Sequence, residues 1–243
     1  FLPDISKILK LLPEKRQSLM FSATFSPEIK SLAANFLRNP QLVEVARENS
    51  TAKTITQKLF EVHNSEKVDA LLDLLDDEVC EDAKNILVFV NSKIVCRRLA
   101  RTLSQYGIEA DSIHGDKTQD ERIKTLEGFK QGAIKVLVAT DVAARGLDIA
   151  DLPVVINFDV PFNAEDYVHR IGRTGRAGMR GLALTLMCPG ADEKNVAAIE
   201  SLIKEHFKRV RMDVSPHRRP SRGPRKVYTP PPVTPASTDP FFD

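Results

Sequence analysis

Between residues 57 and 207, short unbroken apolar runs alternate with stretches of helical periodicity, and this alternation constrains the fold more than any other feature. The runs at 58–62, 86–90, 110–113, 135–139, 154–158 and 182–187 have strand length. The run at 86–90 offers no polar residue to turn toward water, and those at 135–139, 154–158 and 182–187 offer one each, which is the pattern of strands buried on both faces of a parallel sheet. Between them, Val68, Leu71, Leu72 and Leu75 recur at i, i+3, i+4 and i+7, and Val196, Ile199, Leu202 and Ile203 form a comparable stripe. Each is the apolar face of an amphipathic helix. Strands and helices alternating through short connections predict βαβ units and an α/β fold, a doubly wound parallel sheet flanked by helices. Such sheets bind ligands beyond the carboxyl ends of their strands.

The first 45 residues repeat this grammar on a smaller scale. A helix pattern at 5–12 leads to a strand at 18–21, the tripeptide Ser22-Ala23-Thr24, a helix at 27–37 and a strand at 42–45. Pro27, just after the candidate cap Ser26, suits a first helical turn. So few units cannot enclose a full core, and the sequence opens Phe-Leu-Pro-Asp without Met. The expected organisation is the end of one domain (1–45), a polar linker (46–56), a complete second domain (57–210) and a basic tail (211–243). From Ser215 onward, eight of the fifteen prolines fall within 29 residues, beside Arg218, Arg219, Arg222, Arg225 and Lys226. That composition is one of disorder.

The net charge of +2 conceals a division: residues 207–243 carry eight Lys and Arg against three acids, whereas the first 206 carry 27 bases against 30 acids. The body must therefore meet any nucleic acid through local sites, and the tail is a separate basic appendage. No apolar run approaches the roughly 18 residues of a membrane span. Cys80, Cys96 and Cys188 lie far apart without C-x-x-C spacing, which suggests neither a disulfide framework nor a zinc site. A reducing, cytoplasmic setting is expected.

The chemistry concentrates in a few short segments. Residues 167–176 read Tyr-Val-His-Arg-Ile-Gly-Arg-Thr-Gly-Arg, with Arg170, Arg173 and Arg176 three apart and Gly172 and Gly175 between them. On a helix this spacing would hold three guanidinium groups on one broad face, and the glycines would break the helix and admit another surface. Arginine grips phosphate oxygens in a planar, bidentate manner, and an arginine finger stabilises a transferring phosphoryl group. A solvated basic loop is the plainer alternative. Thr140, Asp141, Arg145 and Asp148 follow a buried strand and are placed at the sheet's carboxyl edge. There a carboxylate suits ribose hydroxyls and a hydroxyl suits phosphate, although helix capping accounts for Thr140 or Asp141 alone. Asn91-Ser92 and His114-Gly115-Asp116 end two further strands. Arg122 lies in the first turn of a helix, where free N–H groups favour phosphate. No G-x-x-x-x-G-K-[ST] motif occurs, and no D-E-x-D follows a strand, so the sequence holds neither a phosphate cradle nor a magnesium carboxylate pair.

Ser22-Ala23-Thr24 and the segments 87–93, 139–149 and 167–176 resemble motifs III, IV, V and VI of the DEAD-box ATP-dependent RNA helicases, in order and at matching spacing. His169-Arg170 points to the DEAD-box branch of superfamily 2, and the resemblance is strongest to the bacterial RhlE type. It covers residues 1 to about 207 and implies the second RecA-like domain of a helicase, joined to the last part of the first. By position, the resemblance makes Arg173 and Arg176 γ-phosphate contacts and Asp148 a ribose contact, with Gly146 and Arg145 at the nucleotide cleft. It makes Ser92, Gly115, Arg122 and Thr140 contacts to the RNA backbone, Ser92 standing where the family more often has Thr. His169 would couple motif VI to the first domain, and Ser22 and Thr24 would link hydrolysis to unwinding. ATP with Mg2+ is the implied cofactor, bound mainly by residues absent from this sequence, and RNA the implied partner. A monomer, without membrane association, is expected. The rival possibilities are a non-catalytic RNA-binding module of the same fold, a DNA translocase of the wider superfamily and a structural interaction domain.

Overall fold

Seven parallel strands form one sheet among the described residues, in the order β3-β4-β2-β5-β6-β1-β7. The structure, a computed structural model, describes residues 2–22, 27–43, 54–149, 151–175 and 180–217. It separates into a unit up to Ser50 and a unit from Thr51 onward. The sheet belongs to the second. Its strands are β1 (Ile55–Glu61), β2 (Ile86–Val90), β3 (Ala110–Ile113), β4 (Val136–Thr140), β5 (Val154–Asn157), β6 (Gly181–Met187) and β7 (Arg209–Arg211). β2 and β5 are buried along their whole length, as their unbroken apolar sequences require. The register sets Val88 beside Val138 and Ile156, and Ile156 beside Leu184.

Helices cover both faces. On one, α3 (Lys67–Leu75) and α5 (Lys93–Gln105) bring Leu71, Leu99 and Leu103 against Val88, Val138 and Ile156. On the other, Phe129 of α6 (Gln119–Gln131) packs on Leu87, Leu137 and Val155. Tyr167 and Ile171 of α8 (Ala164–Ile171) and Val196 and Ile199 of α9 (Glu193–Ile203) pack on Leu59 and Ala183. Two short helices complete the unit, α4 (Glu78–Glu81) and α7 (Asp141–Ala144). Local chemistry marks the helix ends: Thr118 and Glu121 form a reciprocal capping box at the start of α6, and Gly132 ends it in the left-handed region at φ 83°.

The domain borders differ from the sequence-based ones. β1 starts at Ile55, inside the expected linker, because Thr54 donates from its hydroxyl to the Gly175 carbonyl at 2.8 Å. Beyond residue 210 the chain still belongs to the body: β7 pairs with β1, and Met212 N–H donates to Glu61 O at 3.1 Å. The N–H groups of Ser215 and His217 then donate to Asp73 (2.9 Å) and Asp69 (3.3 Å) on α3. β7 is three exposed residues, Arg-Val-Arg, too short and too polar to carry a periodic signal. It exists because β1 offers an edge. Residues 218–243 lie outside the described residues.

The first unit contains α1 (Leu2–Leu11) and α2 (Pro27–Phe36), both expected from their periodicity. The strand expected at 18–21 is instead irregular chain, with Leu19 and Phe21 exposed. A strand persists only as the partner of another strand, and the described residues of this unit supply none. Of the strand expected at 42–45, Leu42 and Val43 are also irregular, and the rest lies outside the described residues.

Candidate functional site

At the carboxyl edge of the sheet, the ends of β2, β4 and β5 converge on one side chain, Arg170, which is 1% exposed. Its Nε and Nη2 donate to the two carboxylate oxygens of Asp141, each at 2.7 Å. Nη2 also reaches Asn91 Oδ1 at 2.8 Å, and Nη1 reaches the Asp159 carbonyl at 2.7 Å and Asn157 Oδ1 at 3.3 Å. The guanidinium plane lies 5.1 Å from the Phe89 ring centroid. A planar fork of five donors is the one side chain suited to this many acceptors at fixed angles. The network continues outward. Asp159 accepts from Asn91 N–H at 3.1 Å and from the buried Lys67 ammonium at 3.2 Å, and Asn157 Nδ2 donates to Thr185 at 3.1 Å.

This overturns the expectation of three arginines on one face. Helix α8 ends at Ile171 with Gly172 as its C-cap, so Arg170 is helical and Arg173 is not, while Arg176 lies outside the described residues. It lies on the buried Tyr167–Ile171 face because Asp141 and the strand-end amides there need a donor. The signal was present in the sequence: Tyr167, Arg170 and Ile171 share the core-facing positions of an amphipathic helix, where a charge must be partnered.

Around this hub stand the residues expected to face RNA. Ser92 caps α5, its hydroxyl accepting from Val95 N–H at 3.2 Å, and is exposed. Thr140 occupies the N-cap of α7 without a side-chain capping bond, which leaves its hydroxyl for other partners. Asp141 is spent on Arg170. Gly115 is exposed, with nothing within 4 Å of where a Cβ would stand. The neighbouring His114 is buried, its Nδ1 accepting from Asp116 N–H at 3.3 Å, and burial pushes its pKa below the usual 6.5. Arg122 donates from Nη2 to the Ala143 carbonyl at 3.0 Å, tying α6 to α7, while its Nε is buried without a partner.

Asp148 is not at this edge. Having left β4 at Thr140, the chain must return to the amino end of the sheet before β5 begins at Val154. Asp148 lies on that return, lining a pocket with Asn85 and Pro153, which precede β2 and β5. Its carboxylate accepts from Lys130 at 2.7 Å, and that ammonium holds its pKa below the ordinary carboxylate value. Gly146 turns the loop at φ 74°, a conformation that favours glycine. Arg173 braces the same loop, Nη1 donating to the carbonyls of Leu147 at 3.1 Å and Ile149 at 3.3 Å. In turn Leu152 N–H donates to the Arg173 carbonyl at 3.1 Å, and the Thr174 hydroxyl donates to the Leu152 carbonyl. Gly175, at φ 67°, packs so closely on Ile55 that a Cβ would overlap that side chain.

Arg145 pairs with Asp166, which also accepts from Asn163 Nδ2 at 3.2 Å. His169 presents a buried, unpartnered Nδ1 3.9 Å from the same carboxylate. The structure thus gathers Ser92, Gly115, Arg122 and Thr140 on the carboxyl side, and Gly146, Asp148 and Arg173 along the return loop. Ser22 is an exposed residue of the first unit. Thr24 and Arg176 lie outside the described residues.

A parallel sheet with helices on both faces and its polar strand ends gathered at the carboxyl edge is the RecA-like architecture. Residues 66–178 match the family described as the helicase conserved C-terminal domain. The chain is 46% identical over 211 residues to the DEAD-box ATP-dependent RNA helicase CshA of Bacillus licheniformis, covering 87% of this chain and 42% of that protein. It resembles the crystal structure of the E. coli DEAD-box protein SrmB bound to regulator of ribonuclease activity A, at 36% identity and TM-score 0.60, covering 69% of this chain and 98% of that one. It also resembles S. cerevisiae Dbp5 bound to RNA and ADP BeF3, at 28% identity and TM-score 0.76, covering 86% of this chain and 55% of that one. The chain belongs to the DEAD-box helicase family and contains its helicase C-terminal domain. It spans about two fifths of the length of the curated relatives it matches.

Proposed function

We propose that this chain is the half of an ATP-dependent RNA helicase that holds the RNA backbone on its carboxyl edge and closes on a nucleotide through residues 167–176. One observation carries this reading. The two arginines Arg170 and Arg173 clamp the two ends of a single loop, Arg170 through Asp141 and Arg173 through the carbonyls of Leu147 and Ile149. Thr140 stands at the first end and Asp148 at the second. Strain applied at either end is therefore transmitted through one braced segment, which is what coupling RNA bending to nucleotide state requires.

The return loop fits a nucleotide. Asp148 is exposed and ionised and can accept from ribose hydroxyls, and Gly146 leaves the space above the backbone open. ATP supplies the phosphoryl group whose transfer to water resets the closed state. Arg173 and Arg176 would stabilise charge on that group, Arg145 would stand with Gly146 at the nucleotide cleft, and His169, Ser22 and Thr24 would couple hydrolysis to closure. Mg2+ would be bound with ATP mainly by the rest of the first domain. Ser92, Gly115, Arg122 and Thr140 would hold sugar and phosphate rather than bases, which makes binding largely sequence-independent. The whole protein would open short RNA duplexes or remodel RNA–protein complexes as a cytoplasmic monomer, with residues 218–243 as a basic tether for RNA. The RNA-bound Dbp5 structure supports the RNA assignment by likeness.

The test is Arg176→Ala in the whole protein. ATP turnover should fall by about 10³- to 10⁵-fold, the range of other arginine fingers, with little change in RNA affinity without nucleotide. Intact turnover with weakened RNA binding would instead remove the finger assignment and return residues 167–176 to a solvated basic loop.

A further inference from the structure

We infer that this domain holds a second stretch of RNA backbone away from the carboxyl edge, in the groove between α5 and the start of α6, through Arg97 and Arg101. β3 is the outermost strand on that side and pairs only with β4, and a groove of about 400 Å³ opens beside it. Three acids line this groove, and each is already spent. Asp111 accepts from Lys117 at 2.9 and 3.0 Å and from Thr125 at 2.8 Å. Asp116 accepts from Lys93 at 2.8 Å, and Glu121 accepts from Thr118 in the capping box.

Arg97 and Arg101 line the same groove, are exposed, and make no hydrogen bond or ion pair among the described residues. Four residues apart, they share one helix face. Asp111 and Asp116 are thus paired with lysines and Glu121 is held in its capping box, while two guanidinium forks stay unspent. Two planar forks in a row on an open, polar, elongated surface suit a polyanion backbone.

Position decides the identity of that polyanion. α5 begins at Ser92, and His114 and Asp116, on either side of Gly115, line the groove's near end. At 1.5 Å rise per residue, Arg97 and Arg101 stand about 7.5 and 13.5 Å along the helix from Ser92. A strand leaving the carboxyl edge past Ser92 and Gly115 would meet them in turn. The inference therefore rests on the RNA-facing reading of those two residues and extends it to the flanking nucleotides.

Fluorescence anisotropy on the whole protein tests this, with a short oligouridylate that fills only the carboxyl edge and one about twice as long. The R97Q/R101Q variant should bind the longer strand about tenfold more weakly at low salt, with a log–log salt slope reduced by about 1.4, two single-strand contacts at about 0.7 each. Its affinity for the short strand should match that of the unaltered protein. R98Q removes a charge from the same helix outside the groove and should change neither. Unchanged binding of the longer strand by R97Q/R101Q overturns the groove assignment while leaving the edge reading intact. An R98Q loss as large as that of the double variant reduces the effect to bulk charge and overturns it equally. If the unaltered protein binds neither strand, the edge reading fails and this extension fails with it.

Discussion

Arg170 and Arg173 are three residues apart in one motif, yet they inhabit different physical regimes. Arg170 is buried beneath the carboxyl edge and spends every donor direction on Asp141, Asn91, Asn157 and Asp159. Arg173 is partly exposed and braces two carbonyls of the return loop. The first cannot move without leaving a carboxylate and several amides unpaired in low dielectric. The second can be exchanged for other partners at modest cost. One sequence motif thus contains both an anchor and a contact free to change partners. The boundary between them is the helix end at Gly172, whose amide donates to the Val168 carbonyl at 3.0 Å. The proposed coupling uses both: a fixed carboxyl edge and a loop whose contacts can change.

The sharpest way to break this contrast is Arg170→Ala. Removing one partner of a buried pair strands the other charge, and the expected cost is about 3–5 kcal/mol, read as a shift in the urea midpoint of the sheet-containing unit. Arg170→Lys should recover little, because a point charge cannot satisfy Asp141 bidentately while also reaching Asn91 and the Asp159 carbonyl. A midpoint for Arg170→Ala close to that of the unaltered chain would place Arg170 in the same regime as Arg173.

Arg173→Ala should cost less, about 1–2 kcal/mol, for two charge-assisted bonds at a half-exposed site. Its effect should also be local, with faster amide exchange at Leu152, whose N–H is held by the Arg173 carbonyl, and unchanged exchange along β2 and β5. Exchange that rises equally in the central strands would show that Arg173 anchors the core after all.

What was legible in the sequence follows the same division. The central strands were visible because burial on both faces leaves a mainly apolar run, and β2, β5 and all but one residue of β4 fall where those runs lie. β7 was invisible because its three exposed residues take their structure from the β1 edge. The strand expected at 18–21 failed for the converse reason, a suitable sequence without a partner. At the site, strand-end positions located Ser92, Gly115 and Thr140, because a residue at or just after the end of a parallel strand must lie at its carboxyl edge. Asp148, eight residues beyond Thr140, was misplaced because the sequence does not show where a loop has turned back. The three-residue spacing does not separate Arg170 from Arg173, because the helix end at Gly172 between them is not written in it, although Tyr167 and Ile171 beside Arg170 are core residues.

The smallest effect expected is a pH dependence that separates the buried edge from the open loop. His114 is 5% exposed, and its Nδ1 accepts a backbone hydrogen bond that protonation would abolish. Burial, joined by Lys117 and Arg97 and opposed by Asp116 and Asp111, keeps its folded pKa below 6.5. Below that pH the unfolded chain takes up a proton that the folded chain refuses, so stability should fall as pH drops from 6.5 toward the folded pKa and be fully retained above 6.5. The amide introduced by His114→Asn would keep an acceptor without titrating, and the variant should lack this decline in the difference between the two stability curves. Asp148 behaves oppositely in window and origin. Its folded pKa is lowered by the Lys130 hydrogen bond from 3.8, so its contribution is present above that pH and is lost only as pH falls through the folded value. Asp148→Asn should therefore leave the curve between pH 5 and 6.5 unchanged, since that window lies above the carboxylate range of about 4. Superimposable curves for the unaltered chain and His114→Asn across that window would mean that the carboxyl edge does not hold His114 neutral, and the contrast between edge and loop would rest on Arg170 alone.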